Sequence, residues 1–200
     1  MRVERLLPLL ALLLAGQIFA GDRTALLIAN SDYAEHPLPE AKANAAKLAK
    51  VLEQAGFTVT VKENIEKGSH FRKELETYAT TCPNGGVSLL YFCGYGSGFD
   101  RKMARTIEKP DGTKEKEWYV EPDSGIWGIA DNTPYRIEDL IREFRMRSHA
   151  RLNLLVLDCA YNYPKAKENQ QGLMAIDPKT VPGGMVCYAA PPGKTLPTGT

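Results

Sequence analysis

Residues 89–98 read LLYFCGYGSG and residues 152–164 read LNLLVLDCAYNYP. Each is a buried-strand run followed by a short polar turn. An apolar run without polar alternation is what a strand covered on both faces requires. The two turns differ in their chemistry. The first carries Gly94-Tyr95-Gly96 and the second Asp158-Cys159-Ala160.

Outward from these runs, strands and helices alternate, the mark of a parallel α/β sheet. Residues 24–29 (TALLIA) form another continuous apolar run, and 30–39 a turn-rich loop. Ala41, Ala45, Leu48, Leu52 and Ala55 recur at helical spacing, with Gly56 where a left-handed C-terminal residue belongs. Residues 57–61 alternate as a second strand, and Ser69 is placed to cap a helix that buries Phe71, Leu75 and Tyr78. Asn84-Gly85-Gly86 turns the chain into a strand over 87–92. Residues 100–134 are rich in charge, Pro, Gly and Asp and contain Trp118 and Trp127. They read as a long loop or small β-excursion at the C-terminal edge of the sheet, a usual place for binding loops. Ile137, Leu140, Ile141 and Phe144 make one helix face, and 185–190 the last strand. The expected fold is α/β, with a mostly parallel central sheet flanked by helices in three layers.

Five segments in this order resemble the caspase-like cysteine peptidases (peptidase C14), especially the bacterial relatives of metacaspases. They are ALLIANSDYAEHPLPEAKANAAKLAKVLEQAGFTVTV, VSLLYFCGYGSG, WYVEPDSG, IEDLIREFRMRSHARLNLLVLDCAYNYP and GGMVCYAAPPGKT, and they span most of residues 23–194. In that family the first turn carries Gly-His-Gly and the second Asp-x-Cys. Here Tyr95 stands at the histidine position and Ala160 at the cysteine position. The position of Asn44 often carries an Asp in the family. The family also usually adds a helix and a strand after the one at Met185, which leaves the completeness of the substrate groove open.

The resemblance implies a thiolate nucleophile with a histidine that takes and returns its proton near neutral pH. A phenol with a reference pKa of about 10 is a poor base at pH 7, and alanine has no nucleophilic atom. Cys159 is the alternative nucleophile. Successive strand residues face opposite sides, however, so if Asp158 and Ala160 face the groove, Cys159 faces the helix layer unless a bulge re-aims it. Cys93 shares the parity of Tyr95 and is a further candidate; Ser97 has no visible base. The resemblance also places oxyanion donors at the N–H groups of Gly96 and Ala160. It makes Asp158 the acid that pairs with a basic P1 side chain, against the plainer reading of an Asp that caps the following turn. Gly94-x-Gly96-x-Gly98 is a poor phosphate loop, since its third glycine is misplaced and no Lys-Ser/Thr follows.

Residues 1–20 read as a secretory signal peptide, with Arg2 and Arg5 before an apolar run over 6–14 and small residues before a cut after Ala20. An uncleaved anchor is the alternative; the run is short for a membrane span. The rest, 21–200, is read as one caspase-like domain, secreted or periplasmic. Without Arg2, Arg5 and Glu4, the 25 basic and 24 acidic residues become 23 of each, which argues against a nucleic-acid surface or a polybasic membrane patch. Cys82, Cys93, Cys159 and Cys187 permit two disulfides in three pairings, or four buried thiols. No C-x-x-C pair occurs and the three histidines are scattered, so neither a metal nor a cofactor is expected. The expected function is a pseudo-peptidase that binds a peptide or protein ligand bearing an Arg or Lys side chain without cutting it. The alternatives are an active cysteine endopeptidase using Cys159, and a secreted scaffold with a vestigial groove.

Overall fold

A computed structural model describes residues 22–130, 134–161, 172–176, 180 and 184–195, with the backbone alone for 160–161. The leader expected over 1–20 lies outside these residues. No helix among the described residues is long and apolar enough to cross a membrane.

The elements in chain order are β1 (Arg23–Ala29), α1 (Glu40–Gln54), β2 (Phe57–Glu63), α2 (Gly68–Thr81), β3 (Val87–Glu108), β4 (Lys114–Ile126), β5 (Tyr135–Arg136), α3 (Ile137–Arg147), β6 (Leu152–Tyr161) and β7 (Gly184–Tyr188). Strands β2, β1, β3, β6 and β7 lie side by side in parallel. The sheet is therefore mostly parallel, and helices cover both faces in the expected three layers.

The apolar runs bury both sides of the sheet. Ala25, Leu27, Leu89, Tyr91, Leu154 and Val156 face α1 through Ala41, Ala45, Leu48 and Leu52. Leu26, Ile28, Leu90, Phe92, Leu155 and Leu157 face Phe71, Leu75 and Tyr78 of α2 and Leu140, Ile141 and Phe144 of α3. Burying each such Leu or Phe contributes about 1.5–3 kcal/mol. Helix α1 ends as its glycine foretells: Gly56 has φ +80° and donates its N–H to the Glu53 carbonyl. Helix α3 carries Glu138 and Asp139 in its first turn and Arg145 and Arg147 in its last, the arrangement that the helix dipole favours.

One local expectation is corrected and one open alternative is decided. Ser69 does not cap α2; the helix starts at Gly68, and its capping residue, Lys67, makes no side-chain cap bond. Residues 100–126 take the second of the two expected forms, a β-excursion and not a loop. Strand β3 runs on past the sheet to Glu108 and returns as β4, in antiparallel register from Gly96↔Ile126 to Glu108↔Lys114. Pairing, not apolar alternation, sets this ribbon, because much of it is exposed on both faces and has no core to mark it. At its base Asp123 accepts a hydrogen bond from Arg136 and lies 3.6 Å from Arg101.

Candidate functional site

Parallel sheets collect polar groups at the carboxyl ends of their strands. Here β1 is followed by Asn30 and β2 by Asn64, β3 leaves the sheet at Tyr95, and β6 reaches Asp158 and Ala160. The Asn30 amide fastens three segments together. Its Nδ2 donates to the carbonyls of Ile65 (3.2 Å) and Trp127 (3.0 Å), and its Oδ1 accepts from the Ile65 N–H (2.8 Å). Its own N–H donates to the Cys93 carbonyl at 2.8 Å.

Tyr33 fixes the start of the hairpin. Its hydroxyl accepts from the Tyr95 N–H at 3.0 Å and donates to the Trp127 carbonyl at 3.1 Å. The Trp127 N–H donates in turn to the Tyr95 carbonyl at 3.0 Å, and its indole Nε1 to Ser97 Oγ at 3.0 Å. The rings of Tyr33 and Tyr95 meet edge to face, with centroids 4.7 Å apart. Tyr95 is buried, and burial together with the nearby Glu40 carboxylate raises its phenol further from the range of a neutral-pH base.

The glycines of the first turn are there for packing. A Cβ on Gly94 would lie 2.7 Å from the Tyr33 hydroxyl and 2.8 Å from Phe92 Cζ. One on Gly96 would lie 2.9 Å from Cys159 Sγ. Gly94, Gly96 and Gly98 all lie within strand β3, not in an anion-cradling loop.

Across the sheet, Cys93 pairs with Asp158, and Tyr95 is opposite both Ala160 and Tyr161, where the register slips by one residue. The positions of Tyr95, Gly96 and Ala160 are thus brought together. The slip falls after Cys159 and does not turn it. Cys159 is fully buried on the α2–α3 side among Leu157 and Leu173, away from Tyr95. Burial, with the nearby Asp158 and Cys93, pushes its thiol well above the usual range. Cys93 shares the α1-side face with Tyr95 but is equally closed off, its Sγ 3.6 Å from Asp158 Oδ2. Burial and that carboxylate push the Cys93 thiol up as well.

Asp158 is fully buried. Its Oδ2 accepts from the Tyr91 hydroxyl at 2.8 Å and from the Cys93 thiol, while Oδ1 has no hydrogen-bond partner among the described residues. Burial raises its carboxyl above the ordinary 3.8, and the bonds from Tyr91 and Cys93 oppose this. A carboxyl raised by folding contributes stability that is present below its unfolded pKa of about 3.9 and is lost as pH rises through the folded value. Urea melts from pH 4 upward are therefore expected to show a loss of stability that Asp158→Asn flattens. A wild-type profile as flat as that of the variant would mean that a cation already neutralises Oδ1.

All four cysteines are free. Denatured protein without reductant should therefore titrate four thiols. In the folded state half-buried Cys187 should react first and Cys159 last. A titre of two would mean that one disulfide had formed. Among the described residues, no three His, Cys, Asp or Glu side chains come together as a metal site.

Asn30, Tyr33, Tyr91 and Trp127 are members of this site that the sequence did not single out. The signal for Asn30 is a polar residue directly after TALLIA, at the end of a central strand. Trp127 carries no comparable mark, since it reaches the site only through the return of the hairpin.

A three-layer α/β domain with its substituted positions at the carboxyl ends of β3 and β6 defines the class. The caspase domain family (peptidase C14) matches residues 22–197, and the chain belongs to it. No curated protein matches the chain.

Proposed function

We propose that this chain is an exported caspase-family pseudo-peptidase that holds a peptide or protein segment without cleaving it. The observation that carries the reading is the pairing of Tyr95 with Ala160 across β3 and β6, at the positions of the family dyad. Neither residue supplies a nucleophile or a neutral-pH base. The burial of Cys159 on the opposite side of the sheet weighs against a nucleophile moved by one residue. Binding is supported by Asp158, whose Oδ1 lacks a partner among the described residues. A buried oxygen in that state costs free energy unless something bonds it. The guanidinium or ammonium of an incoming Arg or Lys is a suitable donor. Export rests on the leader-like composition of residues 1–20.

The test uses Trp127, whose indole is bonded to Ser97 in the site. In a Trp118→Phe background, Trp127 reports alone. Peptides with a central Arg or Lys are expected to change its emission saturably and to be recovered whole, whereas Asp158→Asn abolishes the change. No response to any peptide would favour the scaffold reading, and cleavage of the peptide would overturn the proposal.

A further inference from the structure

The hairpin formed by β3 and β4 has two unlike faces. In its register Lys102 is opposite Val120, Ala104 opposite Trp118, Thr106 opposite Lys116 and Glu108 opposite Lys114. Cross-strand partners share a face, so the even-numbered residues form one side of the ribbon, and all of these are exposed. Trp118 is 69% and Val120 56% exposed, among the most exposed large apolar side chains described. Lys102, Trp118, Tyr119 and Val120 line a hollow of about 420 Å³.

The odd-numbered face satisfies itself. Arg105 pairs with Glu117 at 2.5 Å and lies 5.7 Å from the centre of the Tyr119 ring. Beside it Glu115 pairs with Lys109 at 2.5 Å. The acids nearest the turn are thereby neutralised on that side. On the even face Lys102, Lys114 and Lys116 make no ion pair among the described residues, and the acids are Asp100 at the base and Glu108 at the tip. The middle of this face is thus an apolar pair, Trp118 and Val120, flanked by the cations Lys102 and Lys116.

We propose that this face is a docking surface for a protein partner that presents an extended acidic segment with interleaved apolar side chains. Trp118 and Val120 stand two residues apart on a strand, about 6.8 Å, which matches the same-side repeat of an extended peptide. Tryptophan is among the residues enriched as anchors in such contacts. Lysines beside it attract carboxylates and reject basic segments. The surface is separate from the Tyr95–Ala160 site and does not depend on whether that site cuts.

Anisotropy of a labelled, end-capped Glu-Leu-Glu-Phe-Glu-Leu-Glu peptide tests the proposal, with Lys-Leu-Lys-Phe-Lys-Leu-Lys as control. The acidic peptide should bind and the basic one should not, and added salt should weaken binding. Trp118→Ala should weaken it by about tenfold or more. Lys102→Glu with Lys116→Glu should transfer preference to the basic peptide. All three residues are exposed, so circular dichroism should show the variants folded. Equal binding of both peptides, or binding indifferent to Trp118→Ala, would overturn the proposal. Two further outcomes would also overturn it: Trp118-dependent adsorption to phosphatidylserine vesicles without peptide binding, which would make this a membrane face, and Trp118-dependent self-association, which would make the occupant a second copy.

Discussion

The Tyr95→His, Ala160→Cys double variant is expected to hydrolyse peptides that the native chain leaves whole. Loss of the nucleophile or of its base alone costs on the order of 10⁶ in kcat in a well-studied peptidase. With both groups absent, the native chain should fall below detection. Tyr95 and Ala160 are in register on neighbouring parallel strands, and such strands run about 4.8 Å apart. A thiol and an imidazole introduced there begin close enough for proton transfer after small side-chain adjustments. Recovery of roughly 10²–10⁴-fold is the expected scale for an added general base acting on a new thiol. Ala160→Cys alone should give little, because its thiol has no base, and Tyr95→His alone should give nothing. Cleavage after Arg or Lys would further assign Asp158 as the acid that reads the substrate. The result that would falsify the pseudo-peptidase reading is hydrolysis by the native chain that Cys159→Ser abolishes.

Asn30→Ala is expected to cost about 1–3 kcal/mol, since removing a buried amide leaves a group without a partner at that cost. The Ile65 N–H bonds only to this side chain, whereas the Ile65 carbonyl keeps the Ile129 N–H and the Trp127 carbonyl keeps the Tyr33 hydroxyl. Water in the space left by the amide would reduce the cost, which sets the lower end of the range. Asn30→Asp should also destabilise, because it turns an acceptor toward the two carbonyls that Nδ2 now serves. Urea denaturation gives the free energy, and Trp127 emission should shift red as the strand ends loosen. A loss below about 1 kcal/mol, ordinary for a single substitution, would mean that the three segments are held by something other than this amide.

The apolar runs over 24–29, 87–92 and 152–157 were legible because a central parallel strand is covered on both sides and admits few polar residues, of which Ser88 and Asn153 bond each other. Helix α3 was legible from Ile137, Leu140, Ile141 and Phe144, and the end of α1 from Gly56. The ribbon from Gly96 to Ile126 was legible only as one of two alternatives, a loop or a β-excursion. Its Lys-Glu alternation is compatible with a solvated loop, and only cross-strand pairing makes it a hairpin. The start of α2 was misplaced because Ser69 offers a cap that the helix does not use. A cap can form only where the backbone leaves helical geometry, and it does so at Lys67.

The covalent formula alone is enough to say that no imidazole stands at 95 and no thiol at 160. The order of elements, with a match over residues 22–197, is enough to place the chain in the caspase domain family. Neither could say which way Cys159 points, that the register slip comes one residue too late to turn it, or that Tyr91 and Cys93 bond one oxygen of Asp158. Nor could they say that Asn30, Tyr33 and Trp127 clamp the strand ends together. These facts depend on residues 30, 65, 95, 127 and 158 meeting across the sheet. Side-chain direction there is set by strand register and by the packed layers on either face, which local sequence does not carry.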